Sequence, residues 1–432
     1  MIINLLLAGF VLLGINNILF DKNGIKNSIR WIIIGFVIGY RTIEPVNGLK
    51  LHPIEILAYA ACIRIVLFNS KKLYKMPLNI VIIGLLFIIY FLLDIMTRYS
   101  WIILLEFKNS ILLCAIFFIA IHINHDKNNL KSILKYYVIS ITTISVLGVM
   151  EYLFPSFMKN TFGYVNIQPN VSNELLFNRV AFLFWGSHLA ANLIPPIFPI
   201  LLYLRSENLK WTHNKVLLTL IIFLNLFAIY LSGNRISWLI ITIYFLLVLF
   251  TYSGRMLPYM KTYAIAIVIG FVLYIYSQPV EGRYISTFQA LIGNIDQKYD
   301  SSGAARMQYV KASLKSIKIH PMGTGWGSQG WLHSDILQIG ASLGIITAII
   351  FIISQITLLL NIYRLMIRGP AFLYNGLFLC FSFLIYCFIS FLFNGNILKV
   401  QTGVPLYVVW AISYTYYTHL SYMEIRNYLS SD

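Results

Sequence analysis

The stretch KVLLTLIIFLNLFAIYLSGNRISWLIITIYFLLVLF, residues 215–250, decides the fold class. Two uncharged apolar runs flank the short break Ser232-Gly233-Asn234-Arg235. At about 1.5 Å of rise per residue, each run is long enough to cross roughly 30 Å of hydrocarbon as a helix. The stretch therefore reads as two spans, near 215–232 and 236–252, joined by a tight turn that carries one arginine.

Working outward, the same pattern fills the chain. Apolar segments recur near 2–20, 29–43, 54–69, 77–96, 101–122, 134–154 and 180–204 ahead of this pair. Others follow near 259–277, 336–362, 372–393 and 398–418. The sequence thus predicts an all-α polytopic membrane protein of about thirteen (twelve to fourteen) transmembrane helices, forming a single integral membrane domain over 1–432. The first segment lacks a basic leader and a small-residue cleavage site, and reads as a retained span. Composition agrees, because 59% of residues are hydrophobic and only 11% charged, against about a quarter charged in soluble domains.

The net charge of +17 does not indicate a nucleic-acid binder. That function gathers cations on one face, whereas here they are scattered between apolar runs. Seventeen of the 32 basic residues fall in one set of loops: Lys22, Lys26, Arg30; Lys71, Lys72, Lys75; Lys127, Lys131, Lys135; Arg205, Lys210, Lys215; Arg255, Lys261; Arg364, Arg368; Arg426. These alternate with loops poor in Lys and Arg. By the positive-inside rule the set is cytoplasmic, with the C-terminus inside and the N-terminus outside. Cys62, Cys114, Cys380 and Cys387 lie within apolar runs, and are expected to be small apolar fillers rather than disulfide or metal ligands.

Candidate chemistry collects on the other side. Two outer loops are long, near 155–179 and 278–335, and long ordered loops are usually functional. Arginine at the bilayer edge is costly and needs a partner or a task. Arg235 sits in the tight outer turn, and Arg179 opens the span that continues to His188. From Ala304 to His320 the periodicity is helical: Lys311, Lys315 and Lys318 share one stripe, and Met307, Val310, Leu314 and Ile317 form an apolar face. Arg306 falls on the far edge of that face, pointing toward the protein while the lysines stay solvated.

Pro321 ends this helix, and Gly323, Gly325, Gly327 and Gly330 follow in a turn. Those glycines allow either close backbone approach to a ligand or a tight re-entry loop. Next comes Trp331-Leu332-His333-Ser334-Asp335, where Ser334 or Asp335 suits a helix N-cap. His333 would then lie at the positive end of a helix, which favours a neutral imidazole able to accept a proton. His188 is a secondary candidate, while His52 and His320 precede prolines and read as loop residues. Asp296 and Asp300 flank Lys298 and look solvated, so no metal site and no cofactor is indicated.

At these residues the chain resembles the superfamily of O-antigen polymerases and O-antigen ligases, bacterial membrane glycosyltransferases. Leu231–Trp238 is similar to the family's Ser-Arg turn, with Arg235 as the arginine. Arg306–Gly327 is similar to its arginine-led helix before a Gly-x-Gly turn. His333–Thr347 is similar to its His-Asn motif, with Ser334 in place of the asparagine. Arg179–Pro199 resembles, more weakly, its Arg-led span. The clear match covers about a quarter of the chain.

The resemblance implies a type C glycosyltransferase-like fold with one large outer loop, 278–335, over the site. It implies donor and acceptor glycans linked to undecaprenyl diphosphate, membrane lipid around the polyprenyl tail, and a chain-length regulator protein as a further partner. It also implies a site at the periplasmic or extracellular face of the bacterial inner (plasma) membrane. Arg235 and Arg306 would hold the diphosphate with Arg179 auxiliary, and His333 would be the general base. Expected on this basis is polymerisation of lipid-linked repeat units into a surface polysaccharide such as O-antigen or capsule. The alternatives are a ligase that transfers the glycan to lipid A–core, and a polysaccharide flippase or transporter. A transporter typically shows repeat symmetry and midplane binding groups, and neither pattern is legible in this chain.

Overall fold

The computed structural model describes residues 2–38, 43–46, 49–68, scattered positions between 81 and 96, and 101–123. It further describes 127–162, 191–251 except 233, 301–325, 332, 334–370, 373–393 and 400–420. Among these the chain is helical apart from turns and one antiparallel hairpin, β1 (Ile43–Val46) with β2 (Leu49–Leu51). The first half holds α1 (Ile2–Phe20), α2 (Gly24–Ile34), α3 (Pro53–Phe68), α4 (Trp101–Ile123), α5 (Lys127–Leu153), α6 (Pro155–Phe162) and α7 (Ile197–Ser206). The second holds α8 (Lys215–Ser232), α9 (Arg235–Thr251), α10 (Ser301–Ile319), α11 (Asp335–Leu343), α12 (Ile345–Arg368), α13 (Tyr374–Phe393) and α14 (Val400–Thr415).

Four helices, α5, α8, α12 and α13, are long and apolar enough to cross a membrane. The side-chain pattern of α12 shows what surrounds it. Ile346, Ile349, Ile353, Ile356, Leu360 and Ile367 form one exposed face, while Thr347 and Gln355 are buried on the other with Ala348, Phe351 and Leu358. Water would favour the reverse arrangement, and so continuous an exposed apolar face is the mark of a lipid-facing helix. α13 is the central helix, with most of its side chains buried, whereas α8 is peripheral and mostly uncovered.

Polar bonds link these helices inside the bundle. Ser145 Oγ of α5 donates to Asn225 Oδ1 of α8 at 2.8 Å, and both residues are fully buried. Such an interhelical bond in a membrane bundle is worth about 1 kcal/mol. Trp410 of α14 packs edge-on against Phe117, Phe391 and Phe351, with ring centroids 4.8, 5.5 and 6.0 Å away. That cluster fixes the last turns of α13 against α4, α12 and α14. Cys380 and Cys387 are buried and Cys62 and Cys114 half-buried, all as free thiols.

Residues from separate basic loops meet at one end of the bundle. Arg30 donates to Asn27 Oδ1 at 2.9 Å and to Asn129 Oδ1 at 3.1 Å, joining α2 to α5. Lys127 and Lys131 pair with Glu207, just beyond α7, at 2.9 and 2.8 Å. Arg64, near the end of α3, donates to the carbonyls of Leu19 and Asp21.

Three expected spans differ from the structure. The segment 29–43 is not one crossing helix: α2 ends at Ile34, a 3-10 turn follows over Gly35–Ile38, and β1 begins at Ile43. The described part of 180–204 is interrupted, with turns over 192–196 ahead of α7, where Pro195 and Pro196 remove two backbone donors. The segment 336–362 is two helices folded back on each other at Gly344, whose φ of 95° is a left-handed conformation. A Cβ built on Gly340 would lie 3.5 Å from the Ala348 Cβ, whereas eight residues of continuous helix span about 12 Å. The crossing in this region therefore belongs to α12 alone. The segment 77–96 lies mostly, and 259–277 wholly, outside the described residues.

Candidate functional site

Three local structures carry the sequence candidates. The first is the turn between α8 and α9. Asn234 caps α9: its Oδ1 accepts from the Ile236 and Ser237 amides at 2.9 and 3.2 Å, and its own amide donates to Ser232 Oγ at 3.2 Å. Arg235 is therefore the first residue of a capped helix, where the macrodipole favours an anion. Asn234 also reaches sideways, donating from Nδ2 to Asn192 Oδ1 at 2.8 Å, while Ser237 Oγ donates to the Ala191 carbonyl at 2.8 Å. The interrupted segment before α7 is thus bolted to the start of α9.

The second is the start of α11. Ser334 is its N-cap, as expected for one of two candidates, with Oγ accepting from the Leu337 amide at 3.4 Å. The same hydroxyl lies 3.4 Å from the Phe391 carbonyl, to which it donates, in the last turn of α13. Asp335 opens the helix and is buried. Gln338 then reaches back: its Oε1 accepts from the Leu332 amide at 3.1 Å, and its Nε2 donates to Ser342 Oγ at 3.1 Å. Leu332 and Ser334 are both buried, so the residues on either side of His333 are held by specific bonds.

The third is α10 and the turn after it. Lys311, Lys315 and Lys318 are exposed, as the periodicity requires. Leu314 is exposed too, at 54%, so the protein-facing stripe runs through Val310, Ser313, Ser316 and Ile317, not through Leu314. At 100° per residue Arg306 falls at the centre of that stripe. Ile317 meets Gly340 of α11, which has no room for a Cβ without displacing it. The following turn packs on the α11–α12 corner. Thr324 and Gly325 amides donate to the Ala341 and Ser342 carbonyls at 3.0 Å each, and Ile345 returns a bond to Pro321 at 2.9 Å. A Cβ on Gly323 would meet the Ser342 carbonyl at 2.4 Å, so this glycine serves close backbone packing. The two open readings of the turn resolve, at Gly323, in favour of the tight loop; residues 326–330 lie outside the described set.

The backbones of Arg235 and Arg306 are placed on α9 and α10, whereas Arg179, His188 and His333 lie outside the described residues. His52 is buried, its Nδ1 accepting from the Ile54 amide at 3.2 Å at the start of α3, and His320 is exposed in a turn. Sequence reasoning missed Asn192, Asn234 and Gln338. The signal for Asn234 was present, since asparagine before an apolar run is a cap. For Asn192 the adjacent Pro195-Pro196 marked the interruption. Nothing local marked Gln338, whose role comes from a bond back to residue 332.

Residues 220–352, from α8 into α12, match the family model described as O-antigen ligase. That is about a third of the chain, and is consistent with the superfamily of O-antigen polymerases and ligases. The match spans all three local structures. No curated protein gives a match.

Proposed function

We propose that this chain is a polytopic membrane glycosyltransferase with a type C-like fold of about thirteen spans. In this reading it polymerises repeat units carried on undecaprenyl diphosphate, at the outer face of the plasma membrane, and loop 278–335 covers the site. The observation that carries the reading is a common level along α13. Tyr244 Oη of α9 donates to the Ser382 carbonyl at 2.9 Å, and Ser334 Oγ contacts the Phe391 carbonyl. Arg235 precedes Tyr244 by nine residues, and Phe391 follows Ser382 by nine. With α9 and α13 antiparallel, as alternation of the basic loops requires, each interval is about 13 Å. Arg235 and the start of α11 then come to one level. The meeting of Arg30, Lys127, Lys131 and Arg64 with their partners supports a single basic, cytoplasmic end.

The chemistry follows from the roles. A hydroxyl of the acceptor sugar attacks the anomeric carbon of the donor while the bond to the diphosphate oxygen breaks, with inversion and departure of undecaprenyl diphosphate. His333, two residues ahead of α11 in the sequence, takes the hydroxyl proton. Arg235 and Arg306 neutralise the charge growing on the leaving diphosphate through planar forks, and Arg179 assists. No cofactor enters. A chain-length regulator is the expected protein partner.

The test uses purified full-length protein in lipid with an undecaprenyl-diphosphate-linked repeat unit. Wild type extends it, while His333→Ala, Arg235→Lys and Arg306→Lys each lose at least about a hundredfold in rate. Normal polymer from any of these removes that residue from the site. In a deletion strain, one repeat unit on the final acceptor supports polymerase. Lipid-linked polymer accumulating untransferred supports the ligase alternative, which the matched family description favours.

A further inference from the structure

The interruption before α7 leaves one polar group without a partner among the described residues, at a telling place. Asn192 is 1% exposed and its Oδ1 is taken by Asn234, the cap of α9. Its Nδ2 is buried and makes no hydrogen bond among the described residues. A buried amide nitrogen left unpaired costs about 1–3 kcal/mol, so its retention calls for an explanation, and a ligand oxygen is one. The geometry also fixes where this donor lies: its own carboxamide is bonded to the N-cap, so Nδ2 sits beside the first turn of a 17-residue helix. The Asn234 side chain already occupies the Ile236 and Ser237 amides, so the helix end offers its dipole more than its N–H groups.

Backbone chemistry explains why the chain breaks there. Pro195 and Pro196 disfavour a continuous helix through 191–197 because neither supplies a backbone donor. Turns over 192–196 instead bring the carboxamide to α9, and Ser237 Oγ holds the Ala191 carbonyl beside it. Non-helical backbone at membrane depth is tolerated where it lines a cavity or is buried in protein. The combination of interrupted helix, unpaired donor, helix N-terminus and Arg235 selects for an anionic oxygen.

We propose that Asn192 is a substrate-binding residue, its Nδ2 donating to a phosphate oxygen of the polyprenyl diphosphate beside the start of α9. This rests on the diphosphate reading above and adds a ligand from α7's side of the site. The carboxamide suits the task because its two ends are divided: Oδ1 anchors it to the protein and Nδ2 faces the ligand.

Two substitutions separate ligand binding from a structural role. Asn192→Asp keeps the acceptor for Asn234 but replaces the donor by a negative charge, while Asn192→Ala removes both. Because Asn192 is buried, the Asp carboxylate also costs stability, so a bracing role is read from the melting profile and ligand binding from the Kd of the folded protein. If it binds phosphate, Asp is the more damaging one. Purified full-length protein in detergent is titrated with undecaprenyl diphosphate at pH 8, with thermal unfolding measured in parallel. Expected is a Kd weaker by about tenfold for Ala and by more for Asp, in protein that thermal unfolding shows to be folded at the titration temperature. Equal affinity in wild type and Asp, or a smaller loss for Asp than for Ala, overturns the assignment and leaves the diphosphate reading standing. Failure of the wild type to bind undecaprenyl diphosphate overturns both.

Discussion

Gln338 gives a sharp test of the base role proposed for His333. Its side chain spans from Leu332 to Ser342, and Gln338→Leu removes both bonds at nearly constant volume. Ser342 can turn its hydroxyl to a carbonyl of its own helix, so that half is nearly neutral. The Leu332 amide has no such recourse: Leu332 is 3% exposed, and an orphaned buried N–H costs about 1–3 kcal/mol. If that cost falls on the held arrangement of 332–334, its population drops about 5- to 150-fold. Turnover should fall by that factor, while KM for the proposed lipid-linked donor, whose diphosphate is assigned to the arginines, changes less than about threefold. Global unfolding registers little. For 432 residues the unfolding entropy near about 0.9 kcal/mol per degree makes this roughly 1–3 °C. Gln338→Glu keeps the acceptor for Leu332 and should recover most of the turnover. A Leu variant with wild-type kcat, or a Glu variant as slow as Leu, refutes the argument that this bond positions the histidine.

Two further substitutions probe the frame. Gly344→Ala places a side chain at φ 95°, 3.0 Å from the Pro321 and Met322 carbonyl oxygens. It should destabilise by about 1–3 kcal/mol in thermal unfolding and slow glycan transfer, because α10 and α11 both hang on that corner; an unchanged melting profile argues against the fold-back. Asn225→Leu removes the bond from Ser145 and the one to Thr142 Oγ1, so loss of about 1–2 kcal/mol with turnover intact is expected. A large loss of turnover at unchanged stability would show that this pair belongs to the site instead.

Hydropathy made the apolar helices legible, since α1 and α8 span the same residues in sequence and structure. The exposed lysine stripe of α10 and the Ser334 cap were also readable, because both depend on spacing of a few residues. Hydropathy reports where a chain is apolar but not which way it runs. Residues 336–362 carry no charge and no proline, so the reversal at Gly344 left no trace except one of two glycines. The break at 192–196 had a stronger mark in Pro195 and Pro196, yet a proline pair also fits a kinked span. Leu314 was misplaced because in a helix flanked partly by lipid or open space an apolar residue need not face the protein.

The outward apolar face of α12 bears on how this chain changes over evolutionary time. Lipid tails accept Ile, Leu, Val or Phe almost interchangeably, so positions such as 346, 349, 353, 356 and 360 are free to drift. Thr347, Ala348, Phe351 and Gln355 sit in a packed interior and are not. Descendants of this sequence should therefore diverge along α12 with a helical rhythm. The phase of that rhythm is a record of where the bilayer lies, written without reference to the sugar the protein handles.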